Sequence, residues 1–328
     1  PANDAGVTSI DQSLTYCISN DSVFVTIKNF GTDTLKTVKI NWKVNGVSQT
    51  VKSWSGKLAQ GASYGPFSIG YYNFGLGSTY SIIVWTSDPN GSSEGFSYND
   101  SSSVLNKYKA MSGTYTIGGS SPDYSSFGAA ITDLVNGGVC GPVVFNVRNG
   151  IYYEQISISS ITGTSATNTI TFQSVSNDST SVTLSHSPTS SANYTLRFNG
   201  CDYVTFRKMK LVATGTTYAT VVRMESSSTN NQILNCQLAG FTATSSSTNL
   251  AVVYSAGSVV NNTAIQNSSI INGSTGIYFN SSSQALLIEK NMFTNQYYKA
   301  IDITYLSNLT MRGNIFTTNS TYIPLLMR

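Results

Sequence analysis

The segment Gln266–Asn319, QNSSIINGSTGIYFNSSSQALLIEKNMFTNQYYKAIDITYLSNLTMRGNIFTTN, repeats one short pattern several times. Each repeat has an apolar residue, two or three polar residues, an Asn or Ser, another apolar residue and a small polar turn. Related hexamers begin at Phe206, Ile233, Ile265, Ile288 and Met311. The spacings between these starts are 27, 32, 23 and 23 residues, and periods of this length are typical of solenoids. A group of three short strands in each period predicts a parallel β-helix whose core forms by stacking of coils.

The fourth position of each hexamer predicts a recurring bend. It is occupied by Met209, Cys236, Ser268, Asn291 and Asn314. Asparagines stacked at this bend are expected to form hydrogen bonds between neighbouring coils. Because parallel strands lie about 4.8 Å apart, seven or eight coils would form a rod of roughly 35 Å.

The composition favours short strands and turns over long surface helices. Charged residues make up 10% of the chain, against about 25% in an average protein. The net charge of +3 is not clustered, so we expect no nucleic acid partner. No apolar run approaches the roughly 18 residues that a membrane span requires, so we expect no membrane insertion. The four cysteines and the single His186 show no metal-ligand spacing, and no cofactor is expected. We interpret both ends, PANDAGV and YIPLLMR, as cuts from a longer polypeptide.

The first hundred residues predict an antiparallel β-sandwich. In TVKINWKVNGVSQTV, the apolar residues Val38, Ile40, Trp42 and Val44 alternate with polar ones. The pair Asn45-Gly46 then predicts a tight hairpin turn, because both of its positions require positive φ. This spacing of strands and turns is typical of an immunoglobulin-like module of about seven strands.

A short capping helix is predicted after this module. Phe127, Ala130, Ile131 and Leu134 share one helical face, with Ser125 or Ser126 at the N-cap and Asn136-Gly137 at the end. The predicted organisation is a β-sandwich over residues 1–102, a linker over 103–112 and a right-handed parallel β-helix over 113–328.

Two resemblances to known families support these assignments. The pattern VTIKNFGTDTL…VKINWKVNG, within residues 4–101, resembles the CARDB-type adhesion modules of bacterial surface proteins. The segment Gly113–Leu184, with GIYYEQI and NTITFQ, resembles the start of pectin-methylesterase-like right-handed β-helices. Further matches to that family are YATVVRM (Tyr218–Met224), NCQLAGFTAT (Asn235–Thr244) and NLAVVYSAG (Asn249–Gly257).

The second resemblance implies that the esterase chemistry is lost. That chemistry requires two carboxylates and a glutamine for the oxyanion. At the matching positions this chain has Ala243 and Ala251 in place of the aspartates, and Tyr218 in place of a glutamine. No pair of acids on adjacent coils replaces them among the eight after the predicted linker, Asp123, Asp133, Glu154, Asp178, Asp202, Glu225, Glu289 and Asp302. We therefore predict no catalytic residue and no metal site.

Glu154 in GIYYEQI is the best-placed acid, and two interpretations of it remain open. It is a candidate ligand contact, or a turn residue that accepts backbone hydrogen bonds. Cys140 and Cys201 are a candidate disulfide near the N-terminal end of the solenoid, whereas Cys236 is predicted to be a small buried side chain. Cys17 is predicted to be free or to pair outside this chain.

Three short motifs, DSV, DTL and DST, resemble the O-glycosylation motif of Bacteroidota. They make Ser22, Thr34 and Ser179 candidate modification sites. Together with the two family resemblances, they imply a large surface protein of the kind exported by the type IX system.

We therefore predict an extracellular, cell-surface segment that is structural or adhesive. Its solenoid faces would bind a polysaccharide or a partner protein without catalysis. One alternative is a carbohydrate-active enzyme, related to pectin esterases or polysaccharide lyases. The other is a filament subunit that self-associates through an open end of the β-helix.

Overall fold

The computed structural model describes residues 1–11, 22–317 and 325–327, and it divides the chain into two compact units. The division falls between Ala110 and Met111. Residues 103–112, predicted as a linker, instead contribute to a strand of the first unit and begin a strand of the second. The strand in the first unit includes Val104, which packs against that unit's core. A serine-rich stretch can therefore form an edge strand when one apolar side chain anchors it.

Within its described residues, the first unit has eight strands in two antiparallel sheets. They are β1 (Ala5–Ile10), β2 (Ser22–Asn29), β3 (Leu35–Val44), β4 (Val47–Ser48), β5 (Lys52–Leu58), β6 (Ser63–Tyr71), β7 (Tyr80–Ser87) and β8 (Ser101–Lys107). One sheet has the order β1-β2-β6. The other has the order β4-β3-β7-β8, with β5 also paired to β3. A short 3-10 turn, Pro89–Gly91, follows β7.

The predicted alternation in β3 is confirmed. Val38, Ile40, Trp42 and Val44 are all at most 2% exposed and belong to one core cluster with residues of both sheets. The hairpin that follows has the predicted left-handed residues, with φ of 48° at Asn45 and 83° at Gly46. The first unit is therefore a two-sheet antiparallel sandwich.

The second unit begins with β9 (Met111–Ile117) and one helix, α1 (Phe127–Gly137). The hydroxyl of Ser126 accepts the backbone N–H of Ala129, so Ser126 is the N-cap. The helix buries the predicted apolar face and ends at Gly137, followed by the C-cap Gly138, which has a φ of 70°. This helix covers the end of the solenoid.

The rest of the second unit is built from short strands that repeat in groups of three. In chain order they are β10 (Val139–Val147), β11 (Gly150–Tyr152), β12 (Ile156–Ile158), β13 (Ile170–Ser174), β14 (Val182–His186), β15 (Leu196–Asn199), β16 (Val204–Arg207), β17 (Lys210–Ala213), β18 (Val222–Glu225), β19 (Gln232–Leu234), β20 (Gln237–Ala239), β21 (Val253–Ala256), β22 (Thr263–Gln266), β23 (Ser269–Ile271), β24 (Thr275–Asn280), β25 (Leu286–Glu289), β26 (Met292–Thr294), β27 (Lys299–Thr304), β28 (Thr310–Arg312), β29 (Ile315–Thr317) and β30 (Leu325–Met327).

These strands form three parallel sheets that run along the solenoid. The first sheet has the order β9-β10-β13-β16-β19-β22-β25-β28. The second has the order β11-β14-β17-β20-β23-β26-β29, and the third β12-β15-β18-β21-β24-β27-β30. Each coil contributes one strand to each sheet, which confirms the predicted parallel β-solenoid.

The core of the solenoid consists of columns of side chains at matching positions. In the first sheet, Phe145, Phe172 and Phe206 pair in register. Their rings stack with centroid distances of 4.7 Å at both steps. The same column continues with Ile233, Ile265 and Ile288. Stacking of like side chains between coils therefore builds the core.

The predicted bend residues form a hydrogen-bonded ladder between the first and second sheets. The side-chain amide of Asn291 donates to the carbonyl of Ile265 at 2.8 Å and accepts the N–H of Ser268 at 2.9 Å. Asn314 repeats both contacts one coil further, on Ile288 and Asn291. Asn291 is 1% exposed, so its amide satisfies backbone groups that water cannot reach.

Candidate binding site

The outer face of the third sheet carries a column of large polar and aromatic side chains. The paired positions are Ser157, Arg197, Arg223, Tyr254, Tyr278 and Asp302, one from each successive strand. We call this set the third-sheet column. Because side chains alternate along a strand, the neighbours of these residues point into the core while the column faces outward.

Two arginines of the third-sheet column share one carboxylate. Arg197 Nη1 lies 3.1 Å from Glu225 Oε1, and Arg223 Nε lies 2.6 Å from Glu225 Oε2. Arg197 Nε also donates to the hydroxyl of Ser157 at 2.9 Å. The Glu225 side chain is 19% exposed, so the cluster is partly withdrawn from solvent and has one positive charge in excess.

Aromatic rings hold both arginines in place. The Arg197 guanidinium lies 4.6 Å from the ring centroid of Tyr194, and that of Arg223 lies 5.1 Å from the ring of Tyr254. Tyr254 in turn stacks on Tyr278 at 5.3 Å with an interplanar angle of 17°. Burial raises the pKa of the Tyr254 hydroxyl above its ordinary value, despite the opposing effect of Arg223. Tyr254 therefore has Arg223 on one face and Tyr278 on the other, so a ligand in reach of Tyr254 would meet its edge and hydroxyl group.

A cavity of about 210 Å³ opens over these side chains. Its lining includes Arg197, Arg223 and Glu225, together with Tyr194, Tyr218 and Tyr254. This volume is below the roughly 300–1,000 Å³ of pockets for drug-sized ligands. The cavity therefore suits a small group or a single unit of a larger ligand.

Hydrogen bonds from side-chain amides to backbone groups fix the wall of this cavity. Gln155 Nε2 donates to the carbonyls of Ala192 at 2.9 Å and Tyr194 at 2.7 Å. Asn193, which is 9% exposed, donates to the carbonyl of Asn249 at 2.9 Å and accepts the N–H of Thr220 at 3.0 Å. The loop that follows β14 is thus tied to the next two coils, and the cavity is formed before any ligand arrives.

Of the three positions assigned by the esterase resemblance, one lies in this cavity. Tyr218 is part of the lining, whereas Ala251 is fully buried and Ala243 is 7% exposed. Glu225 is the only carboxylate among the described residues that line the cavity. The next acid of the third-sheet column, Asp302, lies three strand spacings from β18, which corresponds to at least about 14 Å.

Glu154 has a structural partner on each carboxylate oxygen. Oε1 accepts the N–H of Phe127 at 3.0 Å, and Oε2 accepts the N–H of Gly128 at 2.8 Å. These are free amides of the first turn of α1, where a negative charge is also favoured by the helix dipole. The ligand-contact hypothesis for Glu154 is therefore replaced by its alternative, a residue that accepts backbone hydrogen bonds.

The predicted disulfide between Cys140 and Cys201 is wrong. Cys201 is a free thiol with no exposed surface, and burial raises its pKa. The sequence predicted Cys201 to lie in a turn near a coil corner, and the burial of its side chain explains the error. Cys140 is disulfide-bonded, and Cys236 is free and buried, as predicted. Cys17 lies outside the described residues.

The candidate glycosylation sites differ in accessibility. Thr34 is exposed, whereas Ser22 and Ser179 are half-buried. The Ser179 hydroxyl also accepts a hydrogen bond of 3.4 Å from Gln237. All three remain predictions.

The two arginines of the site were missed at the sequence level, although a signal was present. In LRFN (Leu196–Asn199) and VRME (Val222–Glu225), an arginine stands between two apolar residues of the third strand of consecutive coils. Alignment of coils on the first strand hides this match, because the intervening turns differ in length. An alignment on the third strand would have placed Arg197 beside Arg223.

Neither a metal cluster nor a membrane span is found in the described part of the chain. No group of three or more His, Cys, Asp or Glu residues there could hold a metal ion. Within the same residues, no helix has the length and apolar character needed to cross a membrane.

Comparisons with known proteins found one family model and several solved structures that are similar to parts of this chain. A family model described as "Right handed beta helix region" matches residues 251–327. A pectin methylesterase from Aspergillus niger is similar with a TM-score of 0.47 and 15% identity, over 65% of this chain and 69% of that one. A rice weevil pectin methyl esterase has a TM-score of 0.43 and 13% identity over 60% of this chain and 64% of its own.

A rhamnogalacturonan lyase is also similar, with a TM-score of 0.37 and 10% identity over 66% of each chain. No curated protein sequence matches the chain. The three parallel sheets and the family match together make the second unit a right-handed parallel β-helix.

Proposed function

We propose that this chain is a non-catalytic, extracellular segment of a bacterial cell-surface protein, and that the cavity over the third-sheet column binds an acidic unit of a polysaccharide. The observation that carries the proposal is the pair of arginines that share Glu225 inside a preformed cavity. The first unit would act as a CARDB-type, immunoglobulin-like adhesion module. The source would be a Bacteroidota protein exported by the type IX system.

The charges and donors of the site support an anionic ligand. Each guanidinium has five N–H donors, and Arg223 uses only its Nε in a hydrogen bond within the described residues. Its terminal amino groups therefore remain available for a carboxylate or sulfate. Because tyrosine rings already hold both guanidinium groups, little side-chain entropy is lost when a ligand binds.

The placement of carboxylates supports binding rather than hydrolysis. A glycosidase needs two carboxyl groups about 5–10 Å apart, and an esterase of the resembled family needs two adjacent aspartates. Glu225 lies alone in the cavity and is neutralised by two arginines. A carboxylate whose two oxygens are both engaged by arginine N–H groups is a weak nucleophile, because those contacts must break before it can attack.

The test is one incubation of the protein with a panel of plant, algal and bacterial polysaccharides. Bound protein is measured in the same wells as released methanol and unsaturated or reducing ends. We expect retention on acidic polysaccharides without product. Arg223→Ala should weaken retention at least tenfold, because the loss of one charged hydrogen bond corresponds to about 1.5–3 kcal/mol.

Two variants sharpen this test. Glu225→Gln removes the internal carboxylate that competes for both arginines, so retention should increase several-fold. Arg207→Ala is the matched control, because Arg207 lies on the first sheet and binds Gln173 instead. Product that disappears in Glu225→Gln would overturn the non-catalytic proposal. Equal retention of Arg223→Ala and Arg207→Ala would exclude the cavity as the binding site.

A further inference from the structure

A second depression lies at the downstream end of the third sheet, where each coil turns toward the first sheet. Its volume is about 320 Å³, and its lining includes Gly257, Ser258, Asn280, Ser282 and Tyr305. A Cβ on Gly257 would meet no atom within 4 Å, so the floor of the depression is open at this residue. None of the residues that line it is charged.

Tyr305 is unusual for its position in the coil. Each coil has an equivalent corner directly after the strand of the third sheet. The paired strand ends that precede this corner are Asn199, Glu225, Ala256, Asn280 and Thr304. The four upstream coils have Gly200, Ser226, Gly257 and Ser281 there. Only Tyr305 places a large side chain at this corner.

The backbone and exposure of Tyr305 both argue against a packing role. Its φ is 61°, in the left-handed region that bulky residues rarely adopt. The side chain is 71% exposed, so it gains little from burial in return. Glycine would satisfy the same turn without strain, as it does at Gly200 and Gly257.

The surroundings of Tyr305 offer hydrogen bonds without charge. Asn280 donates its amide N–H to the Tyr278 hydroxyl at 3.3 Å, and its side-chain carbonyl has no partner within the described residues. Ser282 is exposed at the rim. The hydroxyls of Ser281 and Ser283 bond each other at 2.7 Å, and Ser283 accepts the N–H of Val260 at 2.8 Å, which fixes the rim.

We propose that this depression is a second sugar-binding site, at which a neutral pyranose ring stacks on Tyr305 and bonds Asn280 and Ser282. A sugar ring combines an apolar face with equatorial hydroxyl groups, which matches one exposed aromatic ring beside uncharged donors and acceptors. The site adds to the proposed acidic-unit cavity but does not require it. Asn280 lies two strand spacings, about 10 Å, from Glu225 along the sheet.

The experiment measures saturation-transfer NMR and affinity for neutral hexasaccharides of β-1,4-linked glucose, xylose and mannose and of β-1,3-linked glucose. The wild-type chain should bind at least one of them. Tyr305→Gly should lower that affinity about tenfold, which corresponds to roughly 1.4 kcal/mol. Its melting temperature should stay the same or rise, because the left-handed turn is relieved. Tyr305→Phe should retain binding.

Two controls separate this site from the cavity over the third-sheet column. Arg223→Ala should leave binding of neutral hexasaccharides unchanged, even where it abolishes binding of acidic polysaccharides. Tyr153→Ala removes a tyrosine that is 80% exposed at another corner and should have no effect. The proposal is overturned if no hexasaccharide binds, if Tyr305→Gly binds like the wild type, or if Tyr305→Gly melts at a lower temperature and loses binding only with stability.

Discussion

The sandwich and the solenoid bury similar side chains in different ways. In the sandwich, Ile40 and Trp42 of β3 share a core with Val25 and Ile27 of the opposite sheet, so each residue contacts unlike neighbours. In the solenoid, Phe172 lies between residues of its own kind from the coils before and after it. The sandwich core is thus one cluster, whereas the solenoid core is a series of columns.

This difference predicts how many strands a single core substitution destabilises in each unit. The stability of stacked repeats is approximately a sum of coil energies and contacts between nearest neighbours. A change in one coil should therefore weaken that coil and its two neighbours. A change in the sandwich core should affect all of its strands at once. The three tryptophans, Trp42, Trp54 and Trp85, all lie in the first unit, so their fluorescence reports the sandwich alone.

The largest effect is expected from Phe172→Ala. Its ring lies between those of Phe145 and Phe206 and 5.8 Å from that of Phe127, so alanine leaves a cavity that rigid neighbours cannot fill. The expected loss in free energy of unfolding is about 3–5 kcal/mol. Denaturant titration should show the circular dichroism transition moved to lower denaturant while tryptophan fluorescence is unchanged. An equal shift of both signals would show that the two units unfold together.

Asn291→Ala should have the next largest effect. It removes the amide that pairs the Ile265 carbonyl and the Ser268 N–H, and it leaves both buried groups without a partner. Each such group costs about 1–3 kcal/mol, so with two of them the expected loss is at least about 2 kcal/mol. Asn295→Gly is the matched control, because the side chain of this exposed asparagine on the same coil bonds only the Asn272 side chain, and glycine tolerates its φ of 61°. Similar melting temperatures for the two variants would contradict a structural role for the ladder.

The sequence predicted the features that depend on local period. Alternation in Val38–Val44 and the apolar face of Phe127–Leu134 were correct, because both patterns are set by strand and helix geometry alone. The ladder positions at Asn291 and Asn314 were also correct, since the last coils have a constant length of 23 residues. Regular spacing allows the stacked positions to be predicted from a single sequence.

Features that depend on distant pairing were not predicted. The strand Ser101–Lys107 has little apolar character of its own and forms because it pairs with β7. Cys201 looked like a corner residue, yet it is fully buried. The Arg197–Glu225 contact joins residues 28 positions apart, across turns of unequal length. Each of these depends on which segments the fold brings together, and the local pattern does not contain that information.

The sandwich should respond to pH in a way that the solenoid does not. Burial raises the pKa of Glu94 to about 7, aided by Asp100, Asp4 and Asp88, although the N–H of Ala5 donates to its carboxylate and opposes the shift. Because the folded pKa lies above the unfolded value near 4.5, the protonated form favours folding. The contribution of Glu94 to the free energy of unfolding should be greatest below pH 4.5 and should fall as the pH rises through 7.

The expected change is about 1 kcal/mol, since solvent reaches part of the carboxylate and screens it. Tryptophan-detected unfolding at pH 5 and pH 8 would measure it, with Glu94→Gln as the variant that should lose the difference. A pH dependence that persists in Glu94→Gln would assign the effect to Asp100, whose pKa is also raised by burial.

The smallest effect is expected where the sandwich pairs charges at its surface. Lys39 Nζ lies 2.8 Å from Asp88 Oδ2, and these side chains are 56% and 49% exposed. Asp88→Asn should therefore change the free energy of unfolding by less than about 0.5 kcal/mol, and added salt should remove even that difference. Asparagine is a suitable replacement because the left-handed backbone at Asp88 tolerates it.

Glu289→Gln in the solenoid is the counterpart of Asp88→Asn. Glu289 is only 11% exposed and accepts from Arg312 Nε at 2.7 Å and Gln266 Nε2 at 2.6 Å, contacts that hold its pKa below the usual range. Because the folded pKa is lowered, its contribution is present above the unfolded pKa and is lost as the pH falls. Glu289→Gln should therefore move the circular dichroism transition to a lower denaturant concentration at pH 7, and the shift should be smaller at pH 3. If Asp88→Asn and Glu289→Gln changed the free energy of unfolding equally, an ion pair stacked between coils would be no more stabilising than one at the surface of the sandwich.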